Sequence, residues 1–315
     1  MAPPGLLDPR SLILLSGDAN PELAREIGVE LGTEVAGTEV ATFADGESRI
    51  RIEADVRKAT VVLVQPTSPP VNDHLFTLCL LADAARAAGA GEVVAVVPYF
   101  GYSRQERRSS MGEPRSAQLA ARFLGEAGVS HLLTLDLHEG ALESAFPMPT
   151  TILEPEKLFL PIIQEWAASD VTIVGPDAGG MKRAQRFARA LDADLAGIGK
   201  RRDAPDAPTP LHVMGDVDKK HCVIVDDMAS TGQTLAGAAQ VLTESGAETV
   251  DAVFTHAVMA AGALNHLAES PVRHLVTSDT IPVSEDARKV VQVVPTSSPL
   301  ARAILYATGG GDGAT

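Results

Sequence analysis

The sequence predicts an α/β protein of two similar halves, each a mainly parallel sheet flanked by helices. Three observations carry this. Short β-branched runs recur, and each is followed by apolar residues at helical spacing. The runs are apolar at consecutive positions, as expected of strands covered by helices on both faces. The pattern then restarts after a Pro-rich stretch, PMPTTILEP at 147–155, which reads as a boundary. A chain of 315 residues suits two domains, since one domain usually takes about 100–200 residues.

The first strand expected is SLILLSG at 11–17, and the helix after it has Leu23, Ile27 and Leu31 four apart on one face. TVVLVQP at 60–66, EVVAVVPY at 92–99 and HLLTLDL at 131–137 follow, with Leu- and Ala-rich helical stretches around 74–89 and 115–127. In the second half the strands expected are VTIVGPD at 171–177, HCVIVDD at 221–227, TVDAVFTHAV at 249–258 and RHLVTSD at 273–279. Helices are expected at 179–191, 232–246 and 262–268. A last helix at 297–307 puts Leu300, Ile304 and Ala307 on one side, available to pack back onto the first half. The division expected is therefore 1–150, 151–296 and a C-terminal helix and tail, 297–315.

Composition narrows the function classes. The net charge is −15, so there is no global basic field of the kind that binds nucleic acid. Anionic ligands would need local clusters of positive charge. No apolar run approaches the ~18 residues of a membrane span, and the start, MAPPGLLDPR, lacks a secretory apolar core, so a cytoplasmic protein is expected. Cys79 and Cys222 both lie in apolar runs and read as small hydrophobes rather than a disulfide or metal pair. The first βα turn, SGDANPELA, lacks G-x-G-x-x-G, which argues against a dinucleotide fold of the usual fingerprint.

In open α/β sheets ligands bind at the carboxyl ends of strands. Asp136 with His138, Asp177, and Asp226 with Asp227 all fall at such ends. Capping of the next helix would explain any one of them. The strongest local signal is VIVDDMASTGQT at 223–234. Two adjacent acids end a strand, and successive strand residues point to opposite sides, so Asp226 and Asp227 are free to make different contacts. Paired carboxylates suit the neighbouring hydroxyls of a sugar. The loop Ser230, Thr231, Gly232, Gln233, Thr234 then offers hydroxyls, a turn-permitting glycine and the open N–H groups of a helix start, which together suit a phosphate. A bare helix cap would use Ser230 or Thr231 alone. Elsewhere, Arg104, Arg107, Arg108 and Arg115 crowd one stretch of an acidic chain. That is either a solvated charge run or a polyphosphate site, where arginine forks pair with phosphate oxygens. The basic trio Lys200, Arg201, Arg202 opens a Pro-containing loop, KRRDAPDAPTPLH, which reads as a solvated turn or a flap over substrate.

The 223–234 segment resembles the ribose-phosphate loop of type I phosphoribosyltransferase folds. FADGESRI at 43–50, QPTSPPVNDHL at 65–75, PYFGYSRQERR at 98–108 with GEP at 112–114, TLDLH at 134–138 and GPDAGGMKRA at 175–184 are similar to segments of the ribose-phosphate diphosphokinase family. The resemblance runs from about residue 12 to about 305. It implies two tandem type I phosphoribosyltransferase-like domains and Mg²⁺-dependent transfer of the diphosphate of ATP to ribose 5-phosphate. It further implies ATP contacts from Arg104, Gln105 and His138, with Phe43, Asp45 and Glu47 reaching the adenine from a neighbouring subunit of a homo-oligomer. By the same resemblance His138 and Asp177 meet Mg²⁺, Asp177 also meets the ribose, and Lys200 and Arg202 stabilise the transition state.

The chain departs from the family pattern at EGALESAF, 139–146, where Glu143 and Ser144 replace a Gln/Ile-rich segment. RRSSMGEP at 107–114 and Ser230 also differ, and resemble the archaeal-type class that lacks phosphate and ADP regulation. Two other readings stay open at this point, a salvage phosphoribosyltransferase and a non-catalytic regulatory paralogue.

Overall fold

A computed structural model describes residues 12–138, 140–166, 171–200 and 211–309. These fall into two compact units. The first takes in the described residues through Leu153, together with Thr280–Pro282 and those from Pro295 onward. The second takes in Glu154–Asp279 and Val283–Val294.

The first unit is built in the order β1 (Leu12–Ser16), α1 (Pro21–Leu31), β2 (Thr38–Thr42), β3 (Ser48–Ile52), β4 (Thr60–Val64), α2 (Val71–Ala87), β5 (Glu92–Val96), α3 (Ser116–Glu126), β6 (His131–Leu135) and β7 (Thr150–Leu153). Its main sheet is parallel throughout, in the order β1-β4-β5-β6-β7. Alternation along the strands fills both faces. Leu15, Val61, Leu63, Val93, Ala95 and Leu132 pack with α2 and α3. Leu14, Val62, Val64, Val94, Val96 and Leu133 pack with Leu23 and Ile27 of α1 on the other face. β2 and β3 form a separate antiparallel hairpin.

The second unit runs α4 (Glu156–Trp166), β8 (Val171–Gly175), α5 (Met181–Leu191), β9 (Asp194–Lys200), β10 (Leu211–Met214), β11 (His221–Met228), α6 (Gln233–Glu244), β12 (Thr249–His256), α7 (Ala263–Ala268), β13 (Leu275–Ser278) and β14 (Gln292–Val294). Its seven strands are ordered β10-β9-β8-β11-β12-β13-β14, and only β10 runs antiparallel to its neighbour. Along β11, Cys222 and Ile224 join a core with α6, while Val223 and Val225 join one with α4 and α5. The chain thus forms two α/β domains of the type expected, each with a mainly parallel sheet between helical layers.

The last helix, α8 (Ser297–Ala307), belongs to the first unit. Its Leu300 and Ile304 are fully buried against Leu14, Leu23 and Ile27. Burial of such side chains contributes about 2 kcal/mol each. No helix among the described residues is long and apolar enough to cross a membrane.

Several elements had no expectation attached. β2 and β3, TEVAT and SRIRI, alternate with polar residues and present no apolar run. β9, DLAGIGK, is diluted by glycine. α4 carries Pro161 in its interior, which breaks a helical pattern by removing one N–H donor. β7 is four residues long and hides inside the stretch that reads as a turn.

Candidate functional site

β11 does not stop before its acids, but continues through Asp226 and Asp227 to Met228. Strand alternation starts the two side chains in different directions, yet at the strand end their carboxyl groups still interact. Asp227 follows Val223 and Val225 onto the α5 side and is 3% exposed, and its Oδ1 lies 4.0 Å from Nη1 of the equally buried Arg183. Asp226 is half-buried on the α6 side, and its Oδ1 accepts the N–H of Asp227 at 2.9 Å. Burial pushes the Asp226 carboxyl well above the usual carboxylate range, and the neighbouring charge of Asp227 adds to the rise, while Arg183 opposes it.

The loop after these acids ends at Gly232, whose φ of 75° is left-handed. A Cβ there would lie 2.9 Å from the carbonyl oxygen of Ala263, so glycine is required by both conformation and space. The loop is tied down from outside. The N–H of Ala260 donates to the Ser230 carbonyl, and the His266 ring meets the Thr231 carbonyl at 2.9 Å. Thr231, Gln233 and Thr234 are exposed. No side chain caps α6. That lack is shared by α2, α3, α5, α7 and α8, whose N-cap residues also accept no helix N–H through a side chain. Asn20 Oδ1 accepts the N–H of Leu23 to cap α1, and Asp177 Oδ1 accepts the N–H of Gly180 at the start of α5. What marks α6 is the hydroxyl-rich loop and the two acids next to its open first turn, and such a turn presents N–H groups and a positive dipole end to an anion.

In the first unit, Phe43, Asp45 and Glu47 share the exposed tip of the β2–β3 hairpin. The N–H of Phe43 donates to the Glu47 carbonyl, that of Gly46 to the Phe43 carbonyl and that of Glu47 to Asp45 Oδ1. The turn leaves the Phe43 ring 52% exposed. Arg104 and Gln105 lie on a 3₁₀ turn, Ser103–Gln105, and both are exposed. A cavity of about 360 Å³ opens beside it, lined by Val71, Asn72, Tyr99, Tyr102, Arg104 and Gln105. Tyr102 enters the turn with φ 65° and its hydroxyl bonds to Asn72 Oδ1. Ser116 Oγ donates to Gln105 Oε1 at 2.7 Å. Arg107, Arg108 and Arg115 are exposed too, and Glu113 of the GEP segment folds the loop by accepting the N–H groups of Ser109 and Ser110.

His138 lies half-buried just beyond β6, after the buried Asp136. His138 belongs to the first unit and Asp177, exposed, to the second. Among the described residues no cluster of three His, Cys, Asp or Glu could hold a metal ion. Lys200 ends β9, paired in register with Leu211 of β10; its side chain and the whole of Arg201 and Arg202 lie outside the described residues. Both cysteines are free; Cys222 is buried and Cys79 half-buried, and burial pushes their thiols up to about 12 and about 11.

Two features had no expectation attached. Arg183 had a signal, one charged residue on the helix face that also buries Ala184, Phe187 and Ala188. The Tyr102–Asn72 bond spans 30 residues and had none.

Residues 12–128 match the N-terminal domain of ribose phosphate pyrophosphokinase, and residues 149–291 match the phosphoribosyl transferase domain. The ribose-phosphate pyrophosphokinase of Marinomonas sp. (strain MWYL1) is 40% identical over 284 residues, 90% of each chain. That of Haemophilus ducreyi is 40% identical over 296 residues, 92% of this chain and 94% of the relative. The crystal structure of phosphoribosylpyrophosphate synthetase from Mycobacterium smegmatis matches with a TM-score of 0.89 at 33% identity, over 96% of this chain and 100% of that one.

Proposed function

This chain belongs to the ribose-phosphate pyrophosphokinase family, and from that premise we propose how its residues divide the work. The enzyme transfers the β,γ-diphosphate of ATP to the C1 hydroxyl of ribose 5-phosphate, giving 5-phosphoribosyl 1-diphosphate and AMP. The observation that carries the assignment of parts is the uncapped start of α6 beside Asp226 and Asp227.

Ser230 to Thr234 hold the 5-phosphate through hydroxyls and first-turn N–H groups. Asp226, Asp227 and Asp177 face the ribose. Arg104 and Gln105 hold the phosphates and base of ATP beside their cavity in the first unit. The exposed tip of Phe43, Asp45 and Glu47 is offered to the adenine of a neighbouring copy, which makes the working form a homo-oligomer; the mass of the protein in solution tests this. The family is associated with Mg²⁺; His138 and Asp177 are the residues of this chain that would meet it, and it would neutralise charge on the ATP phosphates. One imidazole and one exposed carboxylate suit that supporting role better than a resident metal centre.

The anomeric hydroxyl attacks the β-phosphorus in line. The new O–P bond forms as the bond to the bridging oxygen breaks, AMP departs with that oxygen, and the hydroxyl proton is released. Lys200 and Arg202 neutralise charge as it builds on the transferred phosphates, so catalysis is positioning plus charge neutralisation. We place the protein in the cytoplasm, in keeping with two free thiols. We also assign it to the class without phosphate activation or ADP inhibition, on the strength of Ser230 and the RRSSMGEP and 139–146 segments; added phosphate and ADP should leave the rate unchanged at saturating substrate.

³¹P NMR of the protein with ATP, Mg²⁺ and ribose 5-phosphate tests the reaction. A C1-linked diphosphate with stoichiometric AMP is expected. ADP as the only nucleotide product would sink the β-phosphorus attack. Absence of turnover would favour a regulatory paralogue, and diphosphate release on adding a free base would favour a salvage transferase.

A further inference from the structure

Arg183 is an unusual residue for its position. It is 5% exposed, on the face of α5 that otherwise buries Ala184, Phe187 and Ala188 against Val223 and Val225 of β11. Taking a guanidinium out of water costs several kcal/mol, and a buried ion pair often gives less stability than well-packed apolar side chains of the same volume. A leucine or methionine would satisfy this helix face. The cation is better explained by what it meets, Asp227, at 4.0 Å.

Asp226 and Asp227 are consecutive, and they are linked through the Asp227 N–H and Asp226 Oδ1 at 2.9 Å. Two carboxylates this close do not both stay ionised without a compensating cation. Arg183 supplies such a cation beside Asp227.

We propose that Arg183 is a positioning residue for ribose 5-phosphate: it anchors Asp227 from the α5 side, and through the Asp227 backbone it fixes the Asp226 carboxylate toward the sugar. Arg183 itself touches no substrate in this arrangement. The inference rests on the reading of the Asp226–Asp227 pair as the ribose-binding carboxylates.

The experiment is steady-state kinetics on Arg183→Met, Arg183→Lys, Asp227→Asn and the Arg183→Met/Asp227→Asn double variant, with calorimetric titration of ribose 5-phosphate. Loss of one charge-assisted contact is expected to raise the ribose 5-phosphate KM of Arg183→Met about tenfold, with the ATP KM within about twofold of wild type. Arg183→Lys keeps the charge without the planar fork and should recover part of the loss. The double variant should be no worse than Asp227→Asn alone, because both substitutions break one link. A ribose 5-phosphate KM unchanged in Arg183→Met overturns the proposal, as does an equal rise in both KM values or a fully additive double variant. Should Arg183→Met not fold, Arg183→Lys decides: a selective rise in the ribose 5-phosphate KM supports the proposal, and unchanged kinetics overturn it. Failure of the wild-type protein to make 5-phosphoribosyl 1-diphosphate would instead sink the underlying functional reading.

Discussion

Replacing Gly232 by alanine should injure the loop proposed to hold the 5-phosphate, in a way that separates space from strain. At φ 75° an L-residue pays about 1–2 kcal/mol, less about 0.4–1 kcal/mol returned by the stiffer unfolded chain. The new Cβ would also sit 2.9 Å from the Ala263 carbonyl oxygen and 3.0 Å from Leu267 Cγ. The first is backbone at the head of α7 and does not move aside cheaply, so overpacking adds about 1–3 kcal/mol. The total is about 2–4 kcal/mol, which for a unit of this size lowers Tm by roughly 5–12 °C. On the proposed role of this loop, displacing one first-turn N–H should also raise the ribose 5-phosphate KM about tenfold or more. Gly262→Ala is the control. Its φ is 86°, equally left-handed, yet its nearest neighbour is a His266 ring atom at 4.0 Å, so it bears the strain without the clash. Thermal denaturation and ribose 5-phosphate kinetics on both variants make the comparison. If Gly232→Ala matches Gly262→Ala in Tm and leaves the KM unchanged, the packing of this loop against α7 does not shape the site.

Two further outcomes follow from the same geometry. Asp251 is fully buried in β12 and takes bonds from Arg273, His274 and His221. Burial by itself would raise its pKa, but the hydrogen bonds from His221 and Arg273, with their charges, bring it down to about 2 from an ordinary 3.8. The folded value is the lower one, so the stabilisation is complete above pH 3.8 and is lost as the pH falls through about 2. Its size is about 2 kcal/mol. Urea denaturation should show Asp251→Asn less stable by that amount at pH 7, with a smaller further loss on acidification; equal stability at pH 7 would contradict the network's role. Tyr102→Phe and Asn72→Ala each remove the bond that holds the Ser103–Gln105 turn, so each should raise the ATP KM several-fold and leave that for ribose 5-phosphate alone. A rise confined to ribose 5-phosphate would show that the cavity beside Arg104 is not the nucleotide site.

The amino-acid sequence by itself determined the two-half α/β plan, because strands covered on both faces are mostly apolar at consecutive positions, and eight such runs are visible. It also singled out the candidate phosphate loop, since adjacent acids, hydroxyls and a glycine are packed into twelve consecutive residues, 223–234, that form a strand end, a loop and a helix start. Continuous apolar runs do not mark the β2–β3 hairpin, whose signal is instead the period-two alternation of half-exposed strands, and glycine thins the pattern of β9. Which acid does what was hidden. Only the tertiary structure turned Asp227 toward Arg183, gave an oxygen of Asp177 to Gly180, left α6 without a cap and set Leu300 of α8 against Leu14 of β1. Periodicity records how buried one element is along its own length. It does not record which distant element does the burying, and a carboxylate's role is set by the charge or N–H that arrives from there.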